Sequence, residues 1–350
     1  MATKKVMLTI GEREVGLSSP DKIYFAELGL TKSDVVDYYQ AVGDGILAAL
    51  MDRPTTMERW PGGWSPDAKL ATRADGHGDA FYQKRAPKGT PEWVTTATIT
   101  FPSGRTADEV CPTELATIIW MANLGTLRFH PWPVHREATE QVNQLRIDLD
   151  PQPGTDFGDA VRAAGQLRQI LDEIGMPGHP KTSGGRGLHV FINVEPEYGF
   201  IDARHAVLAI GRELERRMPD QVTTKWWKEE RGEKIFVDFN QMARDRTIAS
   251  AYSIRPCAEA RVSAPLTWDE VPDADPNDFT VVTMPSRYAE LGDVWKPFHE
   301  APPVSMAPAL ELYERDERDH GVGEMPYPPE YPKMKGEPSR VQPSRAREKD

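Results

Sequence analysis

The sequence has little thiol chemistry to offer. Among 350 residues there are two cysteines, Cys111 and Cys257. That excludes a disulfide-stapled scaffold, and without a Cys-x-x-Cys pair it excludes a thiolate zinc site. Long apolar runs are missing too. The longest charge-free apolar stretch, Leu115 to Leu127, contains Asn123 and falls short of the roughly 20 residues a membrane helix needs. Met1 to Ile10 carries Lys4 and Lys5 but no apolar export core, so the expectation is a cytoplasmic chain without a membrane partner. A basic excess is absent as well. Lys plus Arg number 42 against 54 Asp plus Glu, a formal net charge of −12. A histone-like binder with a basic surface is therefore excluded, while a local basic groove is not.

What the chain does contain is enough apolar material for a core, with 39% hydrophobic residues. The length suits two or three ordinary domains, or one large one with additions. Thirty-one residues are proline, and nine of these follow Ala301. Residues 301–350 therefore read as an extended, partly disordered tail, because so polar and proline-rich a segment buries little against its ordering entropy.

Upstream, strands and helices alternate. Val6 to Val15 reads as a hairpin around Gly11. A helix starts at Thr31, capped by Asp34, and runs through Ile46 to a stop before Pro54. Strands fit Thr55–Trp60, Ala80–Lys84 and Thr95–Phe101, with a Gly/Asp/Pro-rich loop over 61–78. A helix over Thr113–Leu124 precedes a strand, Thr126–His130. Further on, Gln144–Asp150, Leu188–Val194, Ile235–Phe239 and Thr247–Ile254 read as strands. Asp156 caps one helix, and a second runs over Asp202–Met218. This order predicts an α+β fold with a mixed or antiparallel sheet rather than a βαβ series.

Three constellations could carry chemistry. In Arg146-Ile147-Asp148-Leu149-Asp150 the two-residue period of a strand puts Asp148 and Asp150 on one face. Paired carboxylates repel unless a divalent cation lies between them. The same spacing at Asp273 and Asp275 needs only solvation, so Asp-x-Asp alone is weak. Next, Lys181-Thr182-Ser183-Gly184-Gly185-Arg186-Gly187-Leu188-His189 places three glycines within four residues. Such a loop can turn its amides toward an anion, with Ser183 and Arg186 as further donors. A tight turn would need one glycine and would leave Ser183, Arg186 and His189 unexplained. No Gly-Lys-Ser/Thr follows at the P-loop offset. Last, Asp238 is a lone acid in the apolar strand Phe236-Val237-Asp238-Phe239, where an unpaired carboxylate is costly. Asp148, Asp150 and Asp238 together would make a three-carboxylate site of the kind that holds two hard cations for nucleotidyl transfer.

In that order, these residues resemble the archaeo-eukaryotic primase superfamily. More narrowly they resemble the polymerase domain of bacterial end-joining ligase D and its stand-alone Prim-Pol relatives, including the ligase C-associated group of actinobacteria. Further matching pieces are Leu17-Ser18-Ser19-Pro20-Asp21-Lys22, Thr31-Lys32, Phe81-Tyr82-Gln83-Lys84, Phe129-His130-Pro131-Trp132, Ala251-Tyr252-Ser253-Ile254-Arg255 and Ala264-Pro265-Leu266-Thr267-Trp268. The likeness runs from about Leu17 to Trp295. It implies an RRM-like catalytic core within a polymerase domain over 1–300. Residues up to about 135 would contact DNA and its 5′-phosphate, and 136–300 would form the catalytic part.

The resemblance also implies roles. Asp148, Asp150 and Asp238 would be catalytic and hold two Mn²⁺ or Mg²⁺ ions. Ser183, Gly185, Arg186, His189, Arg255 and His130 would bind the incoming nucleotide, NTP or dNTP. Lys22 and Lys32 would hold a downstream 5′-phosphate, and Phe81, Tyr82 and Lys84 would touch the template. Taken without the family, Lys22 and Lys32 are a solvated helix start and His130 is a packed histidine beside Trp132. Arg186 stands where fused domains often carry Lys, and Ser19 where Asn is common. The implied activity is filling of short gaps or nicks in DNA repair with a preference for ribonucleotides. The implied setting is a monomer, cytoplasmic or on the nucleoid, beside an ATP-dependent DNA ligase and an end-binding protein. From another class, Lys22, Lys32, Phe81 and Tyr82 would suffice for a non-catalytic clamp on gapped DNA. A metal-dependent phosphoesterase is a third reading.

Overall fold

The computed structural model describes residues 5–71 and 76–346, so the middle of the expected 61–78 loop and the last four residues lie outside the described residues. The chain opens on the expected hairpin. Strands β1 (Lys5–Ile10) and β2 (Arg13–Ser18) pair antiparallel across Gly11, whose φ of 59° suits glycine. Short strands β3 (Ile23–Phe25) and β4 (Leu30–Thr31) pair next. Thr31 and Asp34 cap each other and start α1 (Lys32–Ala41). The single helix expected there breaks at Val42, and α2 (Gly43–Leu50) follows. Glycines at the break let two neighbours come close. A Cβ on Gly43 would sit 2.8 Å from the Leu115 side chain, and one on Gly45 2.6 Å from the Tyr252 ring.

The first large sheet contains β5 (Thr55–Arg59), β6 (Phe81–Gln83), β7 (Thr96–Thr100) and β8 (Thr106–Val110). Helix α3 (Leu115–Asn123) leads into β9 (Thr126–Pro131), which pairs with β5. The strand order is β6-β5-β8-β7 with β9 off that path. Strand β8 escaped the sequence reading because one of its buried positions is an acid, Glu109, which breaks the apolar alternation.

The second sheet is built around β10 (Gln144–Pro151). Its other members are β11 (His179–Thr182), β12 (Leu188–Asn193), β13 (Val222–Thr223) and β14 (Ile235–Val237). The order is β11-β12-β10-β14-β13, antiparallel except for β13 with β14. Two amphipathic helices, α4 (Phe157–Glu173) and α5 (Phe200–Arg217), pack on it. Ile147 and Leu149 of β10 are fully buried in the core, and the alternate residues, Asp148 and Asp150, line a cleft. Mixed strands and helices of the expected α+β class are thus in place.

Two expectations need correction. Thr247–Ile254 is not a strand. It runs beside β9, with Ser250 N donating to Phe129 O (2.8 Å) and Ile254 N to Leu127 O (3.1 Å), and turns at Tyr252, whose φ is 64°. The Tyr252 carbonyl accepts from Tyr38 Oη (2.8 Å), and its hydroxyl donates to Asp293 (2.6 Å), which fixes that turn. Nor is the segment after Ala301 extended throughout. After the short α6 (Lys228–Arg231), α7 (Met284–Leu291) and α8 (Lys296–Glu300), it forms α9 (Ala307–His320), which packs on α5. Ala309, Tyr313 and Asp316 form its buried stripe, with the Tyr313 ring stacked on His205 at 4.1 Å. Among the described residues no helix is long and apolar enough to cross a membrane.

Candidate active site

Strand β10 sets the site. Its pairing with β12 puts Asp148 opposite His189, and its pairing with β14 puts Asp150 opposite Phe236. Strand β14 stops at Val237, so Asp238 emerges beside Asp148, its N–H donating to the Asp148 carbonyl at 3.0 Å. In the following turn Gln241 donates from one amide nitrogen to Asp238 Oδ2 (3.0 Å) and Asp148 Oδ2 (3.4 Å). Asp150 turns aside to Gln152, which donates to its Oδ2 at 2.9 Å. Burial pushes Asp148 up to about 7, against the pull of Lys181, Gln241 and Arg255. Burial, then the charge of Asp148, raises Asp238 to about 6, and the same two causes raise Asp150.

Among the described residues no three His, Cys, Asp or Glu side chains stand together as a closed metal site; Asp150 faces Gln152 instead of its two neighbours. The donor chemistry nevertheless suits a hard divalent cation. Carboxylate oxygens of Asp148 and Asp238 converge under one Gln241 amide, the oxygen-only donor set that such an ion takes.

Across from the acids, the glycine loop closes on itself. Ser183 Oγ accepts from the amides of Gly185 (3.0 Å) and Gly187 (3.2 Å), and Ser183 N donates to Gly187 O (2.9 Å). Two of the amides expected to face an anion therefore face Ser183. Gly187 is required by close approach, since a Cβ there would lie 2.4 Å from the Leu149 carbonyl oxygen, while one on Gly185 would crowd the movable Arg255 guanidinium. Arg186 is held on the end of β10, donating to Pro151 O (2.7 Å) and Gln152 O (3.3 Å). His189 has Nε2 3.4 Å from Asp148 Oδ1, while its Nδ1 lies 2.8 Å from the Nζ of Lys181. Lys181 is fully buried and also reaches Ser263 Oγ at 2.5 Å, so it fixes the imidazole from behind. A cavity of about 420 Å³ is lined by Asp148, Asp150, Ser183, Arg186, His189 and Arg255.

The facing wall comes from the first sheet. His130 on β9 and Tyr82 on β6 line the same cavity and meet edge to face at 5.5 Å. Beneath them Glu58 is 1% exposed and accepts from Arg128 Nη1 (2.9 Å), His130 Nε2 (3.0 Å) and Trp60 Nε1 (3.0 Å). Burial opposes its ionisation, but the His130 bond and the Arg128 charge prevail and hold Glu58 at about 2. The expected aromatic pair is split, as strand parity requires. Tyr82 faces the cleft, whereas Phe81 lies beneath the Arg59 guanidinium, 5.2 Å from ring centroid to Cζ. Lys84 pairs with Asp245 and lines a second cavity of about 540 Å³ with Asp238, Arg231 and Arg246. The two cavities share Tyr82, His130, Gln241 and Thr247, so they form one cleft.

Lys32 opens α1, and Lys22, just before β3, accepts the Lys32 N–H on its carbonyl at 2.8 Å. Lys22 is exposed, with Nζ on Pro61 O at 2.6 Å. Lys32 is 5% exposed and donates to Ser18 O (2.8 Å), Ser18 Oγ (3.1 Å) and Asn123 Oδ1 (2.9 Å), which occupies all three of its protons. Burial, then the charges of Lys22 and Arg59, brings Lys32 down to about 8. Ser19 has φ 51°, a left-handed conformation that Asn tolerates better than most residues.

The model of the LigD primase-polymerase domain matches residues 31–295, more than half of the chain. This chain belongs to that family. It is 29% identical over 321 residues to the multifunctional non-homologous end joining protein LigD of Mycolicibacterium smegmatis, covering 91% of this chain and 40% of that one. It is 31% identical over 287 residues to the bifunctional LigD of Bacillus subtilis, covering 81% and 44%. The chain thus spans less than half the length of these relatives. Among solved structures, the polymerase domain of Mycobacterium tuberculosis ligase D in complex with DNA superposes with a TM-score of 0.73 at 29% identity, over 83% of this chain and all of that one.

Four residues of the site had no role in the sequence reading: Gln241 and Arg128, which line the cleft, and Lys181 and Glu58, buried behind it. Gln241 follows Asp238 by three residues in a tight turn, which was a usable signal. Lys181 and Glu58 act through tertiary contacts and leave no local pattern.

Proposed function

We propose that this LigD-family primase-polymerase fills short DNA gaps that carry a downstream 5′-phosphate, as a step in end joining or excision repair. Ribonucleoside triphosphates are its preferred substrates, as the family likeness implies. It acts as a monomer in the cytoplasm or on the nucleoid, beside an ATP-dependent ligase and an end-binding protein. The observation that carries the reading is the meeting of Asp148 and Asp238 under one Gln241 amide, with His189 3.4 Å from Asp148 and Arg255 lining the same cavity.

Asp148, Asp238 and Asp150 would hold one or two divalent cations, Mn²⁺ or Mg²⁺, whose bound chemistry is to neutralise phosphate charge and acidify a hydroxyl. Gln241 keeps the carboxylates turned to one point. Arg255, with Arg186 and His189, binds the triphosphate and stabilises charge on the leaving pyrophosphate. Gly185 lets Arg255 approach the loop, and Lys181 holds the ring of His189. Tyr82 offers an exposed face for a template base, worth about 1–3 kcal/mol by stacking. Lys22 supplies the accessible cation for the 5′-phosphate, and Lys32, with every proton in use, adds charge and fixes the chain around it. Because the net charge is −12, binding depends on this local groove and weakens with salt.

The test is extension of a labelled primer on a short phosphorylated gap, with ribo- and deoxyribonucleotides in parallel, with and without manganese. The wild type should elongate with a divalent cation present. Asp148→Ala combined with Asp150→Ala should abolish elongation and leave gap binding within a few-fold. Binding without elongation in the wild type would make the chain a clamp, and shortening would make it a phosphoesterase.

A further inference from the structure

The family match ends at residue 295, yet the chain beyond it reaches the active site. The link is Arg204 on α5, whose side chain is 0% exposed. Its Nη1 donates to Glu324 Oε1 (2.6 Å), and its Nη2 to the carbonyls of Pro326 (2.7 Å) and Met325 (3.2 Å). The guanidinium lies between two rings, 4.0 Å from the Tyr327 centroid and 4.9 Å from that of Phe239. The remaining nitrogen, Nε, donates to Asn240 Oδ1 at 3.2 Å. Asn240 in turn gives its backbone N–H to Asp238 Oδ1 at 3.1 Å.

Two more contacts grip the same stretch of chain. Tyr331 Oη donates to the Arg244 carbonyl (3.1 Å), and Arg246 Nη2 donates to Glu330 Oε2 (3.1 Å). Pro328 and Pro329 line the cavity that contains Asp238 and Gln241. Glu324 is itself fixed by His205 Nε2 (2.7 Å) and Tyr327 Oη (2.9 Å).

We infer that Glu324–Tyr331 is a splint for the turn bearing Asp238 and Gln241, with Arg204 and Asn240 as positioning residues that transmit it. A turn this short has few bonds of its own. Gln241 N donates to Asp238 O at 3.2 Å and Ala243 N to Asn240 O at 2.9 Å. From outside it is anchored by the Asp238 N–H on Asp148 O (3.0 Å) and by the buried side chains of Phe239 and Met242, and the tail clasps its remaining side through Arg204 and Asn240. The inference deepens the polymerase reading and rests on it for its kinetic consequence alone.

The test uses the full chain with two variants. Asn240→Ala cuts the link while leaving the tail's own contacts, and Tyr327→Ala loosens the tail. Single-nucleotide incorporation is measured alongside hydrogen–deuterium exchange. Both variants should lower kcat at least tenfold, with KM for nucleotide and affinity for the phosphorylated gap within twofold. Exchange should quicken over residues 238–243 and stay unchanged in β10 and α5. Tyr327→Phe, which keeps the ring over Arg204, should behave nearly as wild type. Unchanged kcat and exchange in both Ala variants overturn the splint. Exchange that quickens uniformly through α5 and β10 also overturns it, since that is general destabilisation. A wild type that incorporates nothing defeats the polymerase reading, while local exchange still decides the splint.

Discussion

Glu109 lies behind Thr56, with Oε2 accepting from Thr56 Oγ1 (3.1 Å) and Trp132 Nε1 (3.2 Å), and with Oε1 lacking any partner. Burial pushes its carboxyl from the usual 4.5 up to about 8, against smaller opposing pulls from Thr56, Lys84 and Trp132. The folded state therefore holds this proton more tightly than the unfolded state. Its contribution to stability is complete below pH 4.5 and is lost as the pH climbs toward 8. At about 1.4 kcal/mol per pH unit, the whole loss is about 5 kcal/mol, of which about 3 is gone by pH 7. Glu109→Gln keeps the shape and cannot ionise. In urea unfolding, the wild type should lose about 3 kcal/mol more than the variant between pH 5.5 and 8.5. Nucleotide incorporation at neutral pH should be little changed, because Glu109 is sealed under the cleft and does not line it. Parallel stability curves for the two proteins would show that Glu109 is ionised when folded, and would refute the reasoning.

Two further outcomes follow from the cleft. Gln241→Ala removes the donor shared by Asp148 and Asp238; with bonds to charged groups worth about 1.5–3 kcal/mol, incorporation should fall roughly 10- to 100-fold. Titrating manganese should show that the variant needs at least tenfold more metal for half-maximal rate, and an unchanged requirement would remove the positioning role. Lys22→Ala should erase the preference for a phosphorylated over an unphosphorylated gap and flatten the salt dependence of log Kd by about one unit. Wild-type affinity that ignores the phosphate would refute the role given to Lys22.

Much of this architecture was legible in the chain because short-range physics wrote it. The cap at Thr31/Asp34 starts α1 and the Asp156 cap starts α4 as read, with Asp159 completing the second reciprocally. The alternation of Ile147 and Leu149 with Asp148 and Asp150 assigns the faces of β10. Of the three acids expected to converge, Asp238 meets Asp148, while Asp150 turns to Gln152. What stayed hidden depends on partners remote in sequence. Glu109 made β8 look unlike a strand, and the charges of α9 concealed the stripe that Ala309, Tyr313 and Asp316 turn toward α5. Asp316 is buried there because Arg216 reaches it at 2.8 Å, which local composition could not reveal. Phe81 and Tyr82 point to opposite sides because parity separates strand neighbours, whatever their shared aromatic character.

The placement of Asp148 opposite His189 has an evolutionary corollary. Adding or deleting one residue inside Gln144–Pro151 would exchange inside for outside over the rest of the strand, thrusting an acid among the apolar side chains of α4 and α5. Sequence drift here is therefore confined to swaps that keep length, and indels are driven into the connection after Pro151. Across homologues, the count of residues between the two ends of this strand should be more nearly fixed than the residues themselves.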